Sequence, residues 1–373
     1  MHRSPPARYI LSTIENSQGL HLRGSLQRYF GLIIALQRQK SVSLNMKPTL
    51  KTQFAGIELR NPVIIGSCGR TANAESCHKL EGAGAGAIVL KSLFEENIVR
   101  QTAHLSSTAP ALHSEEADYM QGYLRDEALQ KYLALVRECK RLCSIPIIAS
   151  INCFSQGEWV EFAREVESAG ADAIELNIMT IRTAIEYHHG DFERHHIEIL
   201  SAVNEHTRVP IIVKIGANLT NPVALAERLY AHGAAAVVLF NRMYQPDIDI
   251  ERMEYTSGWV LSNESDIATP LRWTGCVSGA VPQLDIALSG GVHSGAAIIK
   301  AVLAGAVAVE VCSAIYRNGE EWIESALKFV GQWLEWHNYQ SLLDVRGEMN
   351  SRHPEYAEKL ERVHFLKYFE NFS

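Results

Sequence analysis

Among the 373 residues no apolar run approaches the length of about 18 that a membrane-crossing helix requires. That excludes an integral membrane protein of the helical kind. Basic residues are not in excess either: the net charge of −7 argues against a general nucleic-acid binder, which would concentrate Lys and Arg to neutralise phosphates. The seven cysteines include no CxxC pair and no regular spacing, which excludes a disulfide framework and fits a reduced, cytoplasmic setting. No segment is collagen-like or low in complexity. What is present is a chain 47% hydrophobic and 21% charged, enough to bury one large α/β core or two average ones.

Residues 1–45 differ from the rest. They carry Arg3, Arg8, Arg23, Arg28, Arg38 and Lys40 against the single acid Glu15, a net of +5, so the remainder carries −12. Their longest apolar run is FGLIIAL (30–36). Two readings stay open: a targeting or membrane-surface segment, or a dispensable stretch upstream of a start at Met46.

From Met46 a rhythm sets in. KTQFAGIELRNP alternates as a short hairpin, and VIIGS (63–67) follows as a buried strand. Asn73 caps a helix through AESCHKLEGAG, and AGAIVLKS delivers Lys91 and Ser92 at the end of the next strand. The strands PIIASINC, DAIELNIM, PIIVKIG and AAVVLFN continue the series, each followed closely by a helical pattern except AAVVLFN. DIALSGG and AVAVEVCSA complete eight. Eight short apolar strands alternating with helices predict a closed TIM (β/α)8 barrel, with a doubly wound open sheet as the competing architecture. The predicted organisation is a basic extension over 1–45, a barrel over 46–350 interrupted by a polar lid or insertion at 242–273, and a tail over 351–373.

In such a barrel the C-terminal strand ends face the active site. Here they supply Gly66, Ser67 and Cys68, then Lys91 and Ser92, Asn152, Asn177, Lys214, Asn241, Gly290 and Gly291, and Ser313. SGGVHSG (289–295) sets two glycines between a strand and a helix N-terminus, a geometry that suits a phosphate, although a plain tight turn would look the same. Lysines and asparagines at the ends of apolar strands suit a planar ligand rich in carbonyls and ring nitrogens. A lysine is rarely buried without a partner, so Lys214 in VKIG calls for an anion or electron-rich group unless it is a solvated loop-start residue.

The ordered series NPVIIGSCG, AGAIVLKS, IELN, PIIVKIG, VVLFN, SGGVHSG, VEVCSAIYRNG and LDVRGEMN resembles the dihydroorotate dehydrogenase family, nearest its soluble class 1 branch, over about 46–350. The resemblance implies an FMN-dependent barrel oxidoreductase acting on a small dihydropyrimidine, cytoplasmic and homodimeric. It implies that Gly290, Gly291 and Ser313 hold the FMN phosphate, that Gly66 and Ser67 lie against the flavin ring, and that Ser92, Asn177 and Lys214 also bind flavin. Lys91 would face flavin and substrate, and Asn177 and Asn241 would grip the substrate. The electron acceptor is open among fumarate, a quinone and a partner flavoprotein with an iron–sulfur centre.

Two departures touch the chemistry. The family pattern N-x-S-[CS]-P-N reads Asn177-Ile178-Met179-Thr180-Ile181-Arg182 here, so Thr180 stands where the catalytic base belongs, and a hydroxyl is a poor base without an activating neighbour. The family's M-G-L-P-N segment reads YMQGYL (119–124), without its asparagine. The loop after Thr180 holds His188, His189, His195 and His196, whose spacing matches no standard metal site; the expectation is no metal, a solvated face, and one histidine open as an alternative acid or base. Non-redox use of Lys214 as a Schiff base and flavin binding without catalysis are the competing functions. Cys68 is the cysteine placed for reactivity.

Overall fold

The structure is a computed structural model describing residues 47–94, 114–152, 156–179, 181, 183–243 and 245–362. Eight parallel strands close a ring: β3 (Val63–Ile65), β4 (Ala87–Val89), β6 (Ile147–Asn152), β7 (Ala173–Ile178), β8 (Ile211–Gly216), β9 (Ala236–Asn241), β12 (Asp285–Ser289) and β13 (Ala308–Val311). The first strand pairs with the last through Val309↔Val63, and Ile88↔Ile147 joins β4 to β6. Closure excludes the doubly wound sheet and establishes the TIM barrel. The short β5 (Leu93–Phe94) extends the β4 side along β6.

Two strands stand outside the ring at its base. β1 (Thr52–Phe54) and β2 (Ile57–Leu59) form the expected hairpin. Its Phe54, Ala55 and Leu59 pack against Ile64, Ile148 and Ile212 from the lumen, and the Ala55 amide donates to Asp285 Oδ2 at 3.0 Å. The hairpin is the floor of the barrel.

The period of two along each strand decides what the lumen contains. A first layer of Ile148, Ala173, Ile212 and Ala308 is apolar and largely small. Two residues further on, the same strands put Ser150, Glu175, Lys214 and Glu310 inward, all buried. One more step reaches Asn152, Asn177, Gly216 and Cys312 at the open end. Outward-facing Ile65, Ile88, Val213, Leu239 and Leu288 pack instead against the surrounding helices. Those helices start as their caps dictate: Asn73 Oδ1 accepts from Ser76 N (2.9 Å) ahead of Ala74–Gly82, and Asn221 Oδ1 accepts from Ala224 N (3.1 Å) ahead of Pro222–Ala231.

Candidate active site

A cavity of about 710 Å³ opens at the C-terminal ends of the strands. The wall includes Ser67, Cys68, Lys91, Ser92, Asn152, Asn177, Lys214, Asn241, Gly290, Gly291 and Ser313, so eleven of the twelve strand-end residues expected from sequence meet in one place. Gly66 is buried just beneath the wall; a Cβ there would sit 2.9 Å from Cys312 Sγ. Thr180 lies outside the described residues. His188, His189, His195 and His196 are not among the residues lining the cavity, and His188 and His189 are exposed. Among the described residues the group with metal-ligand spacing is His78, Glu81 and Cys143, remote from that loop.

Polar groups under the cavity form a continuous network. Ser67 Oγ meets Ser92 Oγ at 2.9 Å, Ser92 Oγ meets Ser150 Oγ at 2.8 Å, and Ser150 Oγ donates to Glu175 Oε1 at 3.0 Å. Lys214 Nζ stands 2.5 Å from Glu310 Oε2 and 3.7 Å from Glu175 Oε1. Sequence reasoning found the buried lysine and expected a bound anion; the chain itself supplies the counter-charge. It overlooked both acids, whose signal was a lone carboxylate inside an apolar strand, in AIELNI and in AVEVCS. Burial, then the neighbouring Glu310 carboxylate, pushes the Glu175 carboxyl well above its ordinary range. Burial alone would push Lys214 down, but Glu175 and Glu310 outweigh it and hold the ammonium above its ordinary range.

One end of the cavity has a backbone geometry that would suit an anion. Gly290 and Gly291 take φ of +106° and +72°, conformations that other residues rarely adopt, and they lead into the helix Gly295–Ala304 with Ser294 as its cap. Ser313 starts the next helical segment, and its Oγ accepts from Ser262 N at 2.9 Å, leaving its own O–H to donate. At the other end Asn241 Nδ2 donates to Asn177 Oδ1 at 2.5 Å. Alternation along β9 would turn Asn241 away from the lumen, but a register shift between Ile215 and Gly216 pairs Asn241 with Gly216 and brings it to the wall. Donors for a phosphate, a fixed ammonium and a pair of amides in one cavity fit flavin mononucleotide.

The insertion forms the roof. It contains the hairpin of β10 (Pro246–Asp249) and β11 (Glu254–Ser257), and Trp259, Val260 and Leu261 line the cavity. Arg242 ties this roof down: its Nε donates to Val260 O (3.1 Å), its Nη2 to Trp259 O (3.1 Å), and its Nη1 to Asp266 Oδ2 (2.8 Å). The following helix, Ala268–Ala280, begins inside the 242–273 stretch that the sequence suggested as lid or insertion.

Comparison with known proteins agrees with this geometry. The dihydroorotate dehydrogenase family profile matches residues 49–334. A chain from Aeropyrum pernix, provisionally named dihydroorotate dehydrogenase A (fumarate), is 29% identical over 81% of this chain and 97% of its own length. The catalytic subunits named dihydroorotate dehydrogenase B (NAD(+)) from Endomicrobium trichonymphae and Methanosarcina acetivorans are each 29% identical, over 72% and 70% of this chain and 87% and 84% of theirs.

Proposed function

Because the chain belongs to the dihydroorotate dehydrogenase family, we propose that it is an FMN-dependent oxidoreductase exchanging a hydride with a dihydropyrimidine or a related cyclic amide. The observation that supports this most directly is the single cavity uniting Gly290, Gly291 and Ser313 at one end with Lys214 and the Asn177–Asn241 pair at the other. Flavin, when bound, supplies the hydride-accepting N5 and an electron-rich pyrimidine edge.

The chain's own residues then have distinct tasks. Backbone N–H groups at Gly290 and Gly291, together with the Ser313 hydroxyl, hold the phosphate. Lys214 keeps its charge because two carboxyl groups lie beneath it, so it stabilises negative charge above it. Asn177 and Asn241 present amides to a planar substrate, and Lys91 faces it from the rim. Thr180 handles the substrate proton in this reading. Lys214 as a Schiff-base nucleophile is disfavoured, since that chemistry needs a neutral amine and the two acids oppose it.

The visible spectrum of the purified full chain is the first test. A flavin band, or its appearance after FMN is added, is expected; a colourless protein that takes up no FMN sinks the reading. Anaerobic addition of dihydroorotate then has to bleach that band. An unbleached flavin would leave the cofactor but remove this substrate, pointing to another cyclic amide or to binding without catalysis. The family resemblance also suggests a homodimer, which light scattering would reject by returning the mass of one chain.

Among the described residues no helix is long and apolar enough to cross a membrane.

A further inference from the structure

Cys68 follows the first barrel strand and Cys312 follows the last, and ring closure makes those strands neighbours. The pairing Val311↔Ile65 continues to set Cys312 opposite Gly66. Because Gly66 has no side chain, the Cys312 sulfur can lie over its backbone, 3.8 Å from Ser67 O, and hydrogen-bond to the Cys68 thiol. Both cysteines are partly exposed, and both line the cavity. Cys77 and Cys139 also hydrogen-bond to each other but are fully buried. Chemical access separates the two pairs.

We propose that Cys68 and Cys312 form a redox-active thiol pair, a thiol–disulfide exchange site on the cavity wall that takes low-molecular-weight disulfides as its co-reactant. The surroundings give the two sulfurs different roles. The hydrogen bond from Cys312 pulls the Cys68 thiol down to about 6 against the opposing effect of burial, and backbone N–H groups of Arg70 and Thr71 and the Tyr316 hydroxyl assist. The same contact and burial push Cys312 up. At neutral pH the pair is therefore one thiolate and one thiol.

Exchange proceeds in two displacements. The Cys68 thiolate attacks one sulfur of RS–SR; the S–S bond breaks, RS⁻ leaves, and a mixed disulfide forms on Cys68. Cys312 gives up its proton as its sulfur attacks Cys68 Sγ, expelling the second RS⁻, which takes up that proton. The net change is two protein sulfurs oxidised to one disulfide and RS–SR reduced to RSH and RS⁻. The Lys214 ammonium stands near Cys312 and favours its ionisation in the second step. Nothing in this sequence requires flavin, so its failure leaves the proposed oxidoreductase standing.

The test uses the full chain, reduced, desalted and treated anaerobically at pH 7 with bis(2-hydroxyethyl) disulfide, followed by mass mapping of unreduced peptides. A Cys68–Cys312 crosslink is expected in the parent, with no retained hydroxyethylthiol. In Cys312→Ser the mixed disulfide has to persist on Cys68. Cys276, half-exposed but with its thiol raised by burial, is the internal comparison: Cys68 should be alkylated by iodoacetamide at least tenfold faster, with a pH midpoint near 6. Retention of the mixed disulfide on the parent chain as on Cys312→Ser overturns the proposal. So does Cys68 alkylation no faster than that of Cys276, a measurement that needs no variant to fold.

Discussion

Lys214, Glu175 and Glu310 place one buried ammonium against two buried carboxyl groups, one layer above an apolar one. Removing one side of a buried pair leaves an uncompensated charge, at a cost of about 3–5 kcal/mol. Lys214→Met should therefore lose that much in urea unfolding, and Lys214→Met combined with Glu310→Gln should recover part of it. A loss below about 1 kcal/mol in the single variant would show that the pair is not needed for stability. His196 gives a pH-dependent counterpart. It is fully buried, its Nδ1 lies 2.8 Å from Phe192 O, and burial depresses it below the ordinary value of 6.5. The unfolded chain then binds the proton first, so this contribution is present above about pH 6.5 and is lost as pH falls below it. His196→Gln should flatten the fall in melting temperature between pH 7 and 5, and an unchanged slope would assign that fall to other groups. Lys214 was legible in the sequence as a cation inside an apolar strand. Its partner was not, because Glu310 is 96 residues away and becomes a neighbour only across the closed lumen.

The strand–glycine–helix unit at 289–304 and the roof at 242–262 are the elements that shape the cavity. Gly291 combines φ of +72° with no space: a Cβ would fall 2.1 Å from Ile267 N, so backbone would have to move. At Gly290 the φ of +106° is equally unfavourable, but the nearest atom, Pro270 Cγ, would be 3.7 Å away. Gly291→Ala should reduce flavin retained after desalting by tenfold or more and lower stability by about 1–3 kcal/mol, with Gly290→Ala less damaging. The reverse order would mean that close packing against 266–267 is not what matters. Arg242 makes a second test of the same region. Arg242→Ala removes three bonds that fix the roof, so flavin should dissociate several-fold faster while circular dichroism stays unchanged; an unaltered rate would assign retention to the strand ends alone. The glycine pair could be read in advance because its local backbone is set by neighbours in sequence. The path of the roof could not, since it depends on Arg242 reaching Trp259 and Val260; Asn241 was expected at the site from its place at a strand end, but the register shift that turns it inward had no local signal.

At the scale of the whole chain, the eight-strand count was legible from periodicity, but closure required the pairing of β3 with β13, which no local pattern encodes. Closure also locates the boundary of the working unit. Every barrel strand lies between Val63 and Val311, the floor is made by 52–59, and Thr49 N donates to Gln340 O at 2.9 Å, tying the start of this unit to its far end. The compact unit begins at Pro48, and the family match begins at residue 49. Residues 1–45, with their net charge of +5, lie outside the described residues. A chain beginning at Met46 thus keeps the floor, the ring, the roof and every described cavity residue. Compared with the full chain, it should hold the same fraction of flavin, melt within about 2 °C and bleach with dihydroorotate at the same rate. A drop of several degrees or a loss of flavin would make the basic segment part of the fold. Equal behaviour in solution, with vesicles of anionic lipid retaining only the full chain, would instead assign the segment to a membrane surface, because positive charge on an apolar stretch has that use without contributing to the barrel.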